Sequence, residues 1–122
     1  MLREISRLKT HATRIGGANA IALTGELDLE TAPQLAEEVE LAVWSTVGVF
    51  VLDLSGLTFL DSSGLHALLR ARAYLAREDR ALVLVCPAGP ARRVLDLASV
   101  LDTFVVYATA EAAADALVPV DE

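Results

Sequence analysis

The residues best suited to chemistry stand together in 50-FVLDLSGLTFLDSSGLHALLRA-71. An apolar run gives way to Asp61-Ser62-Ser63-Gly64, and a helical pattern begins at once. Three kinds of chemistry suit a carboxylate and two hydroxyls at such a junction. The simplest is capping: an oxygen of Asp61 or Ser62 accepts from the free N–H groups of the helix, worth about 1 kcal/mol. The second is nucleophilic catalysis. A Gly-x-Ser-x-Gly elbow needs glycine two residues before the serine, and that position is Leu60. The histidines are His11, in a strand-like stretch, and His66, four residues after Ser62 with no evident orienting partner. Hydrolysis is therefore excluded as a working reading, and no enzymatic activity is expected. The third is modification. A phosphoserine carries about −1.5 to −2 charges, which a helix N-terminus accommodates through its N–H groups and dipole. Asp61, and Asp28 on a neighbouring loop, would deepen that negative field. A partner docking there would have to desolvate a dianion. On these physical grounds Ser62 and Ser63 are equally acceptable.

The junction needs a scaffold. Residues 5–14 alternate weakly as an edge strand, Gly16 to Asn19 form a turn, and Ala20 to Thr24 form a second strand, giving a hairpin. Gly25 is expected to end that strand. In the loop 25-GELDLETAP-33, Thr31 is the candidate N-cap and Pro33 suits a first turn. Leu35, Val39, Ala42 and Val43 recur at helical spacing to about Trp44, which is expected to pack. Val47 to Leu54 is a nearly continuous apolar run, as in a central strand covered on both faces, and Gly56 is expected to break it. A helix then carries Leu65, Leu68, Leu69, Leu75 and Ala76. Ala81 to Cys86 forms a strand, and Pro90 opens a helix with Val94, Leu95, Leu97, Ala98 and Leu101. Thr103 to Tyr107 forms a last strand, and Thr109 caps an Ala-rich helix ending near Val118. The order β-β-α-β-α-β-α-β-α predicts an α/β fold with a mixed sheet of about five strands: an antiparallel edge hairpin, a parallel remainder, and about four helices. Both Glu26-Leu27-Asp28 and Asp61-Ser62-Ser63-Gly64 then fall at the C-terminal ends of strands, where α/β sheets place their chemistry.

The totals set bounds. The chain's 122 residues are the scale of one domain, residues 1–122. Hydrophobic residues make up 54% and aromatics 5%, so the core is aliphatic. The single cysteine, Cys86, lies in the apolar run ALVLVC and reads as a buried thiol. No membrane span or secretory signal is evident, so a cytoplasmic protein is expected. Nothing in the chain calls for a cofactor, and no metal-ligand spacing or phosphate-binding glycine loop occurs. The net charge is −7, with no Lys or Arg between Ile15 and Leu69. That balance disfavours direct nucleic-acid binding; it allows a partner with a basic face, or serves solubility alone.

Two stretches, 24-TGELDLETAPQL-35 and 53-DLSGLTFLDSSGL-65, resemble the STAS domain family, specifically its anti-sigma factor antagonists. The resemblance spans nearly the whole chain. It implies a sheet with an antiparallel edge and helices packed on it. It implies that the serine after the Asp, here Ser62, is phosphorylated, with Ser63 second. The phosphorylating partner is an anti-sigma factor with serine kinase activity. The unphosphorylated form binds that partner and frees a sigma factor, and a metal-dependent Ser/Thr phosphatase restores it. The implied docking residues are Asp28, Thr58, Asp61, Ser62, Ser63 and Gly64, with Gly64 leaving the helix start open to a kinase. The alternative is a STAS subunit that only docks, in a stress-signalling scaffold or a lipid-transport ATPase complex. The short N-terminus, without a sensor domain, disfavours the large stress-complex members. Two departures stand out. Glu78-Asp79-Arg80 replaces a Gly-Gly turn of many relatives, and Ser99-Val100 replaces a Gly-Leu.

Overall fold

The computed structural model describes residues 6–117. The start expected at Ile5 and the end expected near Val118 lie outside them. Strand β1 (Leu8–Ile15) pairs antiparallel with β2 (Ala18–Leu27). Then follow α1 (Ala32–Ser45), β3 (Phe50–Leu60), α2 (Ser62–Arg77), β4 (Leu82–Val85) and α3 (Pro90–Leu97). One turn of 3-10 helix (Leu101–Thr103), β5 (Val105–Tyr107) and α4 (Ala110–Leu117) complete the order. The sheet runs β1-β2-β3-β4-β5, and every pair beyond the hairpin is parallel. This is the mixed five-strand, four-helix α/β fold that the alternation predicts.

The apolar alternation in β3 fixes the two layers. Phe50, Leu52 and Leu54 point to one face, where α1 brings Leu35 and Val39, α2 brings Leu68 and Leu75, and α3 brings Leu95. Val51 points to the other face, with Val83, Val85 and Ala20, under Ala113 of α4. A strand covered on both faces has no polar side to alternate, so its sequence reads as a continuous apolar run. Cys86 lies in the larger layer, fully buried, and burial pushes its thiol pKa up.

Several boundaries differ from expectation. Gly56 does not break β3, and Gly25 does not end β2. Each permits a close strand approach instead. A Cβ on Gly56 would lie 2.8 Å from the Leu23 carbonyl oxygen. A Cβ on Gly25, at φ +106°, would lie 2.0 Å from that of Arg7. The ladder between β2 and β3 slips its register on both sides of that stretch, so both strands continue past their glycines to Leu27 and Leu60. Val47 lies before β3 and is exposed. Leu97 and Ala98 do not pack: α3 stops at Leu97, with Leu97 exposed and Leu101 in the separate 3-10 turn. β5 is shorter than expected, and the buried Phe104 precedes it. Thr109 does cap α4, its Oγ1 accepting from Ala112 N–H at 3.0 Å.

Candidate functional site

Parallel pairing brings the ends of β2 and β3 side by side, with Leu27 opposite Leu60. The next residues are Asp28 and Asp61, so the two acidic junctions are neighbours. Asp61 N–H reaches the Leu27 carbonyl at 3.4 Å, linking them directly.

Asp61 is the N-cap of α2. Its backbone is extended, and its Oδ1 accepts from Gly64 N–H at 2.9 Å. Its carbonyl takes Leu65 N–H as the first intrahelical bond. Ser62 is thereby the first residue of a 16-residue helix, and it is exposed. Ser63 is half-buried. The cap accounts for Gly64 N–H and leaves the amides of Ser62 and Ser63 at the open end of the helix, where N–H groups and dipole favour an anion.

Gly64 plays another part than the one expected. It is buried, and a Cβ there would lie 2.4 Å from the Leu27 carbonyl oxygen and 2.6 Å from Leu60 Cδ1. It lets α2 press against the end of β2 rather than opening the helix start to a kinase.

Asp28 is likewise turned inward. Its Oδ1 accepts from the N–H groups of Glu30 and Thr31 at 3.0 and 3.1 Å, closing the loop. Its Oδ2 accepts from Arg7 Nη1 at 2.6 Å. Arg7 also contacts Glu26 at 2.7 Å and Glu30 at 3.3 Å. The Arg7 guanidinium is the main cause holding the Asp28 carboxyl below its ordinary range, and Asp28 and Glu26 hold Arg7 above its own. Thr31 stands at the N-cap of α1 but makes no cap bond. Its hydroxyl accepts from Asp28 N–H and donates to the Glu26 carbonyl, both at 2.9 Å, so it too serves the loop. Thr58 is exposed, its hydroxyl donating to the Gly25 carbonyl at 3.2 Å.

The structure thus brings Asp28, Thr58, Asp61, Ser62, Ser63 and Gly64 to one end of the sheet but divides their roles. Ser62 and Thr58 are exposed, Asp61 caps, and Asp28 and Gly64 are buried framework. Two residues missed in the sequence join the exposed set: Leu29 (73% exposed) and Phe59 (45%). The only signal was an apolar type in the loop or at a strand end. Leu29 opens an apolar groove of about 540 Å³ between α1 and α2, with Ala32, Ala36, Ala67, Arg70 and Tyr74 along it. His66 and His11 are both exposed, on α2 and β1. Among the described residues, no helix is long and apolar enough to cross a membrane.

Comparison with known proteins agrees with this arrangement. Residues 9–113 match the family model of the STAS domain, and the chain belongs to that family. It is 31% identical over 96 residues to an anti-sigma F factor antagonist of Lysinibacillus sphaericus, covering 78% of this chain and 81% of that one. Among solved structures it is similar to an anti-sigma factor antagonist from Mycobacterium paratuberculosis, with TM-score 0.81, 29% identity, and coverage of 90% and 93% of the two chains. It shares its fold with Bacillus SpoIIAA in the phosphorylated form, with TM-score 0.64, 21% identity, and coverage of 88% and 99%.

Proposed function

We propose that this protein is an anti-sigma factor antagonist switched by phosphorylation at Ser62. The observation that carries the reading is an exposed serine at the first position of a capped helix, beside a rigid acidic loop. Unphosphorylated, the end of the sheet offers Thr58, Ser62 and the exposed Leu29 and Phe59 to an anti-sigma factor with serine kinase activity. Binding occupies that factor and frees its sigma factor. Phosphorylation places a dianion at the centre of the contact. Burying it unpaired costs several kcal/mol, and about 2.8 kcal/mol already weakens binding 100-fold. The helix N-terminus tolerates the same charge, so the domain stays folded while its surface changes. A metal-dependent Ser/Thr phosphatase resets the switch. The protein acts as a binding module, and the kinase chemistry belongs to the partner. Its names among relatives support this role, and one protein of the same fold is known in a phosphorylated form.

The test is intact mass and fragmentation after incubation with ATP and anti-sigma kinases from the same cell. We expect one phosphate on Ser62, absent in Ser62→Ala, and Ser62→Asp weakening the complex by about 100-fold. Phosphate on Ser63 alone would move the switch by one residue. No transfer with any such kinase would leave a docking subunit of a scaffold or transporter complex, with Asp61 acting only as a cap.

A further inference from the structure

Helices α1 and α2 lie side by side on one face of the sheet and carry opposite charge. Along α1 stand Glu37, Glu38 and Glu40, with no Lys or Arg. Along α2 stand His66, Arg70, Arg72 and Arg77, with no Asp or Glu. Each helix connects two parallel strands from the same face, so the two run parallel to each other. Between them lies the groove of about 540 Å³, with Glu40 on the α1 side and Arg70, Tyr74 and Arg77 on the α2 side. The opposite charges do not meet across it. Every ion pair among the described residues is made by Arg7, and Glu37, Glu40, Arg70 and Arg77 are all exposed.

Helix periodicity sets which of these groups share a face. On α1, Glu37, Glu40 and Trp44 recur at i, i+3 and i+7, on the side turned from the buried Leu35 and Val39. Trp44 is 84% exposed, not packed as its place near the helix end suggested. On α2, His66, Arg70 and Arg77 recur at i, i+4 and i+11, turned from the buried Leu68 and Leu75. The remaining charges stand apart from this face. Glu38 borders the hairpin side of α1, beside Ala12 and Phe50. Arg72, two residues after Arg70, lies on the other side of α2. Arg80 donates to the carbonyls of Val43, Thr46 and Gly48 and to Thr46 Oγ1. Glu78 and Asp79 follow Arg77 in the turn that closes α2. The level of each group along the helices also matches. Arg70 is eight residues from the start of α2, as Glu40 is from the start of α1. Arg77 ends α2, and Trp44 stands one residue from the end of α1.

Such a face is complementary to itself. A two-fold axis parallel to the helices sets α1 of each copy over α2 of the other, at the same level. Glu37 and Glu40 of one copy then meet Arg70 of the second, Trp44 meets Arg77 as a ring meets a guanidinium, and each contact occurs twice. A two-fold across the helices would instead stack α1 on α1, with Glu37 and Glu40 against their equivalents. An acidic partner or an anionic lipid surface is attracted by Arg70 and Arg77 but repelled by Glu37 and Glu40, and a basic partner meets the reverse. A second copy carries both signs at the spacing required. We propose that the α1–α2 face pairs two copies of this chain, each closing the groove of the other. Two helices a side make a small interface, so the dimer should be reversible and follow concentration.

Sedimentation equilibrium from micromolar to millimolar protein, with Trp44 emission read on the same samples, tests this on the intact chain. We expect a monomer–dimer equilibrium and a blue shift that follows the dimer. Arg70→Glu and Glu40→Arg, both at exposed positions, should each weaken the dimer at least ten-fold without changing thermal unfolding of the monomer. The two variants mixed should pair with each other at close to the original strength, because every reversed charge then meets its opposite. So should a chain carrying both substitutions. A protein that stays monomeric at millimolar concentration overturns the proposal. A dimer that neither substitution weakens assigns the pairing to another face and overturns it too. So does a dimer that both weaken and the mixture does not recover.

Discussion

Arg7 and Arg80 tie down opposite ends of the same sheet, by different chemistry. Arg7 sits just before β1 and binds carboxylates: Glu26, Asp28 and, at longer range, Glu30. Arg80 sits just before β4 and binds carbonyl oxygens at the C-terminus of α1, with its guanidinium 6.0 Å from the centre of the Phe50 ring. The first clamp holds the acidic loop beside Ser62. The second satisfies helix carbonyls that would otherwise lack partners. The difference teaches where conditions reach the fold. Arg7 depends on ionised acids, so protons and salt weaken it. Arg80 has uncharged acceptors, and pH alone does not remove them. The end that carries Ser62 is thus the end whose framework responds to its surroundings.

The largest expected effect separates the two ends by steric means. Gly64→Ala puts a methyl 2.4 Å from the Leu27 carbonyl oxygen. Backbone cannot yield as a flexible side chain does, so we expect a loss of about 3 kcal/mol, at the upper end of overpacking costs. Alanine's better helix propensity returns no more than about 1 kcal/mol. Urea unfolding measures the loss. Chemical shifts should move at the Asp28 and Ser62 junctions and not around Arg80. A neutral Gly64→Ala would show that α2 does not need its close approach to β2.

Next comes Arg80→Ala. It removes donors from three carbonyls and a hydroxyl. Hydrogen bonds to charged groups are worth about 1.5–3 kcal/mol, and water replaces part of what is lost, so we expect about 2 kcal/mol. The loss should be the same at pH 5 and pH 8. The Trp44 emission should also change, because the helix end that carries it loosens. A pH-dependent loss would contradict the division between the two clamps.

Arg7→Met tests the other clamp through acid. The folded Asp28 carboxyl lies below its ordinary range, chiefly because of Arg7. Unfolded, an aspartate titrates near pH 3.9. A carboxylate lowered in the folded state adds stability that is complete above that unfolded value and declines as pH falls through the lower, folded one. Arg7→Met should therefore raise the Asp28 midpoint in an NMR titration and narrow the acid range over which the fold is stable. At neutral pH most of the loop remains, because Asp28 Oδ1 still holds Glu30 and Thr31. An unmoved midpoint would assign the lowered carboxyl to the loop N–H groups instead.

These residues also show what the sequence revealed. The central strand was legible because Val51 and Leu52 both lie buried, on opposite faces, leaving no polar period to obscure it. The Asp61 cap was legible because capping is local chemistry, three residues long. Trp44 was misjudged, although its spacing from Leu35 is nine residues, a half-turn out of phase at 3.6 residues per turn. Its size argued for packing where its phase did not. The Arg7 clamp was not legible at all. It exists because antiparallel register sets Leu8 opposite Gly25, which carries Arg7 to Glu26 and Asp28 across 19 and 21 residues of sequence. The inward turn of Gly64 was hidden for the same reason: its neighbour is Leu27, on another strand.

The smallest effect concerns the departures from the common turns. Asp79 and Ser99 have φ of +57° and +58°, the left-handed region that glycine enters freely. Each follows a helix and closes it in the same way. Arg80 N–H reaches the Leu75 carbonyl and Asp79 N–H that of Ala76; Val100 N–H reaches Leu95 and Ser99 N–H that of Asp96. Both turns are thus closed without glycine, at a conformational cost of about 1–2 kcal/mol for an ordinary residue. Asp79 also lies directly before Arg80, so its conformation aims the second clamp. Glycine would relieve the strain but lose more entropy on folding, by about 0.5–1 kcal/mol. Ser99→Gly should therefore stabilise by about 0.5 kcal/mol. Asp79→Gly should gain less, because aspartate tolerates this region better than serine. Thermal unfolding of both variants, read with Trp44 emission, decides the matter. If Asp79→Gly instead destabilises while Ser99→Gly does not, a stiff residue before Arg80 is part of the clamp itself.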